Sequence, residues 1–241
     1  MTTSLPGVWN LIKGSWDAFV KHWSLLVKYS AWIVLAVALQ EVGALIPASQ
    51  AGLQTSVLLI GGIAGVFVTL WASIRLFQVI FSLEDSKAVT EKTTATAMAL
   101  ILPLVLVGIL QGLATLGGFI LLIIPGIYIG VRLGFSQLLV IDGNKRGRAA
   151  LVASWNMTKN RFWAIFGRGL AFGVLFVVLI MVASGIAFAL IGSIADLKNE
   201  TSGAGVFAFG IVNGLIQAAF LPLASTFQVK LYNAVKRVAS A

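Results

Sequence analysis

Glu41, Arg75, Arg132 and Arg168 stand inside long apolar runs, where an ionised side chain is expensive to hold and marks a structural pair or a functional site. Glu41 lies six residues before Pro47, and Arg132 lies seven after Pro125. At ~1.5 Å per helical residue both fall about 10 Å inside their runs, at matching depth from the same boundary. Two readings fit: an ion pair that clamps helix to helix, or a polar site for a head group or substrate. Arg75 and Arg168 lie toward the opposite ends of their runs. Their long stems let the guanidinium reach a polar boundary. The same planar fork matches phosphate oxygens in pairs, so a phosphate site between helices is the alternative.

Lys145, Arg146, Arg148, Lys159 and Arg161 cluster between two apolar runs. They serve as a topology signal and add attraction to anionic lipid, about 1 kcal/mol for each residue near a membrane surface. Gln111, Asn213 and Gln217 are uncharged polar residues within runs, suited to hydrogen bonds between helices or to a polar path. Glycines at Gly61, Gly62, Gly65, Gly117, Gly118, Gly169 and Gly173 would let helices approach closely.

Enzymatic chemistry finds no constellation. His22 is the sole histidine and there is no cysteine, so neither a metal cluster nor a nucleophilic triad can be assembled around them. The acidic pair Glu84 and Asp85 reads as a solvated turn, and the glycine-rich piece at Gly61 lacks the Lys-Ser/Thr that a phosphate loop requires. No catalytic residue, metal or cofactor is expected.

The elements that must position these residues follow from composition. Apolar residues make up 59% and charged residues 10% of the 241, against roughly 45–50% and 25% in soluble domains. A membrane helix needs about 20 apolar residues, so the chain reads as one all-α, polytopic membrane domain of about six spans. The expected spans are residues 23–46, 57–83, 95–124, 127–141, 162–191 and 206–232, with Pro125 and Gly126 breaking the third from the fourth. Residues 6–20 and the later part of 142–161 read as amphipathic helices lying at the interface. Trp9, Trp16 and Trp23 recur on one stripe, and Trp155 and Trp163 flank the fifth span. Such indoles suit the head-group level, although the first stripe could equally pack against the protein's own helices. The first run reads as an uncleaved span rather than a secretory signal.

Positive residues mark one side. Lys13 and Lys21, then Lys87 and Lys92, the basic cluster after span four, and finally Lys230, Lys236 and Arg237 all fall on it; Lys198 is the exception among the opposite loops. The positive-inside rule puts both termini and the basic loop in the cytoplasm. The net charge of +9 therefore points to membrane lipid, anionic in character, rather than to nucleic acid. A weak repeat pairs Ser15 and Trp16 with Ser154 and Trp155, and Phe77-Gln78-Val79 with Phe227-Gln228-Val229.

The run Ile123-Ile124-Pro125-Gly126-Ile127-Tyr128 with Arg132 beyond it, then Ser154-Trp155, Thr158-Lys159 and Phe162-Trp163, resembles the membrane domain that accompanies some bacterial glycerophosphodiester phosphodiesterases. It is similar as well to stand-alone bacterial inner-membrane proteins of the YciC type. The resemblance implies a multi-pass protein of the bacterial cytoplasmic membrane with about six helices. It does not carry the phosphodiesterase activity, because the soluble catalytic barrel is missing from this sequence. A non-enzymatic lipid-interacting protein is the leading expectation. A small transporter or permease-like subunit, and a scaffold or assembly factor with a protein partner or a second copy, are the alternatives.

The orientation has a direct check on this cysteine-free chain. Ser49→Cys should react with an impermeant maleimide on intact bacterial cells, whereas Arg146→Cys should react only after the membrane is opened.

Overall fold

The computed structural model describes residues 5–85, 94–143, 145–194 and 203–240, and every regular element among them is helical. In chain order these are α1 (Val8–Lys21), α2 (Trp23–Ser30), α3 (Trp32–Glu41), α4 (Ala51–Glu84), α5 (Thr94–Leu121), α6 (Ile123–Leu133), α7 (Ser136–Ile141), α8 (Gly147–Met157), α9 (Phe162–Ile194) and α10 (Gly203–Ala239). Six helical stretches are long and apolar enough to cross a membrane: Trp23–Leu45, Ala48–Glu84, Thr96–Leu121, Ile123–Ile141, Phe162–Ala189 and Gly205–Ala239. Helix is the form such sequences take in hydrocarbon, because each peptide group must find its hydrogen bond within the segment. The protein is an all-α, polytopic membrane bundle. Lys87, Lys92 and Lys198 lie outside the described residues.

Three boundaries differ from expectation; one is the end of α10, which runs on to Ala239 past the expected residue 232. The break between the third and fourth spans falls at Leu122, which is extended at φ −169° and ψ 160°, not at Pro125 and Gly126. Pro125 instead occupies the first turn of α6. A missing N–H costs nothing there, since first-turn donors have no intrahelical acceptor. The third boundary is the start of α4 at Ala51, so the small polar residues up to Ser56 extend the helix rather than precede it; the Ser56 hydroxyl donates back to the Gly52 carbonyl at 2.9 Å.

The chain divides into two compact units, and α4, α9 and α10 each contribute a portion to both. One unit comprises Met1–Lys21, Phe77–Val174 and Ser225–Ala241. Its core centres on Tyr232, which is fully buried. Phe81 and Phe135 meet that ring at 5.7 and 5.9 Å, and the phenol donates to Asp142 Oδ2 at 2.9 Å. Lys236 closes on the same carboxylate oxygen at 2.6 Å, and Lys230 pairs with Glu84 at 2.6 Å. α1 packs in this unit through Leu11 and Ser15, leaving Trp9 at 71% and Trp16 at 50% exposure. Those two indoles are not core side chains of the protein. Within the weak repeat, Ser15 and Ser154 are both fully buried, but Gln78 is buried and Gln228 exposed.

The second unit comprises His22–Leu76 and Leu175–Ala224. Glycine decides its packing. A Cβ on Gly61 would collide with the Leu39 carbonyl oxygen, and one on Gly65 would lie 2.6 Å from the Ala36 carbonyl oxygen. From the other side, Gly210 and Gly214 receive Glu41 and Val37. Two small-xxx-small faces, on α4 and α10, therefore grip α3 at backbone distance, a common solution where lipid removes the hydrophobic incentive for helices to associate. The Ser30 hydroxyl adds a hydrogen bond to the Ala218 carbonyl, and Trp32 meets Trp71 edge-on at 5.3 Å. The expected use of glycine is met only in part. Gly61, Gly65 and Gly118 sit against neighbours, whereas Gly62, Gly117, Gly169 and Gly173 face open space.

Gly61→Ala should lower stability by about 1–3 kcal/mol, the usual cost of forcing atoms into a packed site. Gly62→Ala, one residue away, should be neutral or slightly stabilising in the same thermal melt, since alanine is the better helix former.

Candidate functional site

α6 ends at Leu133, and the short turn before α7 leaves the Arg132 carbonyl in need of donors. α8 supplies them. Ala150, Ser154 and the capping Thr158 recur every fourth residue, form one face and are fully buried. Ser154 Oγ donates to the Arg132 carbonyl at 2.8 Å; the single Thr158 hydroxyl proton is shared among the Ser154 and Trp155 carbonyls of its own helix, at 2.9 and 3.1 Å, and the Arg132 carbonyl at 3.2 Å. Ser154 Oγ also accepts the Phe135 N–H at 3.2 Å, so one hydroxyl serves both sides of the break. These bonds explain the residue types: a small face to approach closely, and hydroxyls where the backbone is short of partners.

The same contact places the Arg132 side chain. Its guanidinium carbon lies 4.3 Å from the Trp155 ring centroid and 5.5 Å from that of Tyr128. Tyr128 is itself met edge-on by Trp155 at 5.8 Å and by a tilted Phe162 ring at 5.0 Å. Arg132 is only 4% exposed, its Nε is enclosed with no acceptor, and the guanidinium makes no hydrogen bond or ion pair among the described residues. Aromatic faces attract the cation by up to about 2 kcal/mol when water is excluded, but they do not replace the hydrogen bonds a guanidinium loses on burial.

Arg132 opens into a recess of about 540 Å³, walled by Tyr128, Trp155, Phe162, Trp163 and Ala164 and carrying Lys159, Asn160 and Arg161. The turn between α8 and α9 forms one side. Asn160 is left-handed at φ 60°, a conformation asparagine tolerates better than most residues, and it reverses the chain so that Lys159 and Phe162 border one space. Arg161 is partly committed: its Nη2 donates to the Val238 carbonyl at 3.0 Å and its Nη1 to the Lys159 carbonyl at 3.4 Å. Lys159 is exposed, and its ammonium makes no ion pair among the described residues. The lining holds three cations and, among the described residues, no carboxylate.

The other expected site residues are distributed as follows. Arg132 lines one recess with Lys159 and Arg161, because the helix break lets α8 reach its carbonyl. Glu41 belongs to the other unit, with its side chain over Gly210. Arg75 is in that unit too, over the Tyr29 ring at 5.5 Å. Arg168 uses three N–H groups on backbone: Nε to the Pro6 carbonyl at 2.8 Å, Nη2 to Leu5 at 3.1 Å and Nη1 to Ala164 at 2.8 Å. It fastens the segment that leads into α1, which sequence spacing gave no reason to expect. Lys145, Arg146 and Arg148 are exposed on the turn before and the first residues of α8. Gln111 Oε1 is enclosed without a partner, Asn213 donates to the Phe209 carbonyl of its own helix at 3.1 Å, and Gln217 is exposed. Among the tryptophans, Trp23 and Trp163 are exposed at 58% and 78%, while Trp155 is also the platform under Arg132. Tyr128, Ser154, Thr158 and Phe162 were visible as motif residues, but their joint action on Arg132 needed the fold.

The family model described as the membrane domain of glycerophosphoryl diester phosphodiesterase matches residues 106–237, which include the whole of this site. No curated protein and no solved structure matches the chain.

Ser154→Ala removes the acceptor of the Phe135 N–H and a donor to the Arg132 carbonyl. Equilibrium or thermal unfolding should show a loss of about 1–3 kcal/mol, the cost of leaving buried backbone groups unsatisfied.

Proposed function

We propose, from the premise that the chain belongs to the family of glycerophosphoryl diester phosphodiesterase membrane domains, that it is a non-enzymatic protein of the bacterial inner membrane that holds a lipid by its phosphate at the Arg132 recess. The carrying observation is a guanidinium, nearly fully buried, stacked on two aromatic rings, without an anion, at the wall of a cationic recess. A buried charge without a partner is strongly unfavourable, and a ligand phosphate would supply both the charge and the acceptors it lacks. The matched family domain is the membrane part of the phosphodiesterase, which fits binding or presentation of a lipid rather than its hydrolysis.

On the positive-inside rule the recess faces the cytoplasmic leaflet, the side to which the exposed Lys145, Arg146 and Arg148 are also assigned. Those residues gather anionic lipid at the surface; Arg132 holds one molecule. A transport role gains little from Asn213 and Gln217, since one amide bonds its own helix and the other is exposed.

Native mass spectrometry of protein extracted gently from its own membrane tests the reading. Wild type should retain phospholipid through activation energies that strip the Arg132→Gln variant, with both proteins melting as folded species. Equal retention by the two would overturn the assignment.

A further inference from the structure

The recess also carries a basis for choosing among head groups, an inference that rests on the lipid-binding reading above. A zwitterionic head group brings an ammonium a few ångströms from its phosphate, and that ammonium needs either a carboxylate or an open aromatic face. No carboxylate is offered among the described residues, and the aromatic faces of Phe162 and Trp163 share the lining with Lys159 and Arg161, whose charge repels an ammonium. The faces of Trp155 and Tyr128 are taken by the Arg132 guanidinium, at 4.3 and 5.5 Å. Two further cations, Lys159 and Arg161, join Arg132 in the lining, so a second positive charge brought into the recess meets like charge. An uncharged, hydroxyl-bearing head group meets no such penalty, and the side-chain amide of Asn160 in the lining can hydrogen-bond it.

The wall continues into an apolar track. Trp163, Gly167, Leu170 and Val174 follow one another at four-, three- and four-residue spacing on α9, so they share a face. Trp163, Leu170 and Val174 are 78%, 54% and 57% exposed, and Gly167 has open space where a side chain would be. A chain attached to the phosphate can run along this face. We infer that the Arg132 recess selects an anionic phospholipid whose head group has no ammonium, with Arg132 on the phosphate, Lys159 as the charge that discriminates and α9 alongside an acyl chain.

The test uses the purified full chain, stripped of lipid and offered equal amounts of phosphatidylglycerol and phosphatidylethanolamine, with bound lipid counted by native mass spectrometry. Phosphatidylglycerol should dominate. Lys159→Gln should lower the ratio about fivefold, the effect of one basic residue near the phosphate. Lys28→Gln, exposed on α2 and absent from the recess lining, should leave it within about twofold of wild type. Arg132→Lys keeps the charge but loses the planar fork, and it should weaken both lipids while preserving the preference. Equal binding of the two lipids by wild type, or an equal effect of Lys28→Gln and Lys159→Gln, would overturn the selectivity while leaving lipid binding in place. Loss of all Arg132-dependent lipid binding would instead remove the underlying reading. Displacement of phosphatidylglycerol by equimolar glycerol 3-phosphate would overturn the acyl-chain assignment and make the ligand a soluble phosphate ester.

Discussion

One hydroxyl, that of Ser154, on the Arg132 carbonyl oxygen holds the candidate site together. The Arg132 carbonyl stands where α6 stops, and an unpaired carbonyl in an apolar surrounding costs free energy comparable to a lost hydrogen bond. Ser154 supplies the donor from α8 and accepts the Phe135 N–H in return, and that choice fixes the position of α8 against α6 and α7. Trp155 follows Ser154 directly and is carried over the Arg132 side chain, while Lys159 follows Thr158 and is carried to the recess. A backbone repair at a helix break thus positions the aromatic and cationic residues around it.

The energetics of Arg132 then separate structural from functional charge. Arg168 sits in a comparable run, yet its guanidinium donates to three backbone carbonyls and needs no external anion. Lys230 and Lys236 have carboxylate partners at 2.6 Å. Arg132 has aromatic faces, which stabilise the cation without accepting its N–H groups. Charge inside an apolar run marks a residue worth attention, and the partner inventory distinguishes a fastening from a binding group.

The second unit solves a different problem with different residues. Its helices carry little polar glue, and α3 is seated by the absence of side chains at Gly61, Gly65, Gly210 and Gly214. Backbone approach of this kind gives many small dispersion contacts, whose sum replaces the hydrophobic driving force that lipid removes. The open positions Gly169 and Gly173 on α9 show that glycine frequency alone does not locate such contacts.

Composition and periodicity determined the class: the apolar runs made helices that cross a membrane, and hydrocarbon leaves such runs no other way to satisfy their backbone. The helix α1 with its exposed indoles and the residues of the Arg132 motif were also legible, because charge and aromatic position are written locally. The break at Leu122 was not, since proline is as compatible with a first helical turn as with a stop, and its neighbours decide between them. Nor could sequence distinguish Arg132 from Arg168, or Gly61 from Gly62. Each member of these pairs has the same chemistry in the chain; only its tertiary neighbours determine whether its donors are used and whether the space beside it is filled.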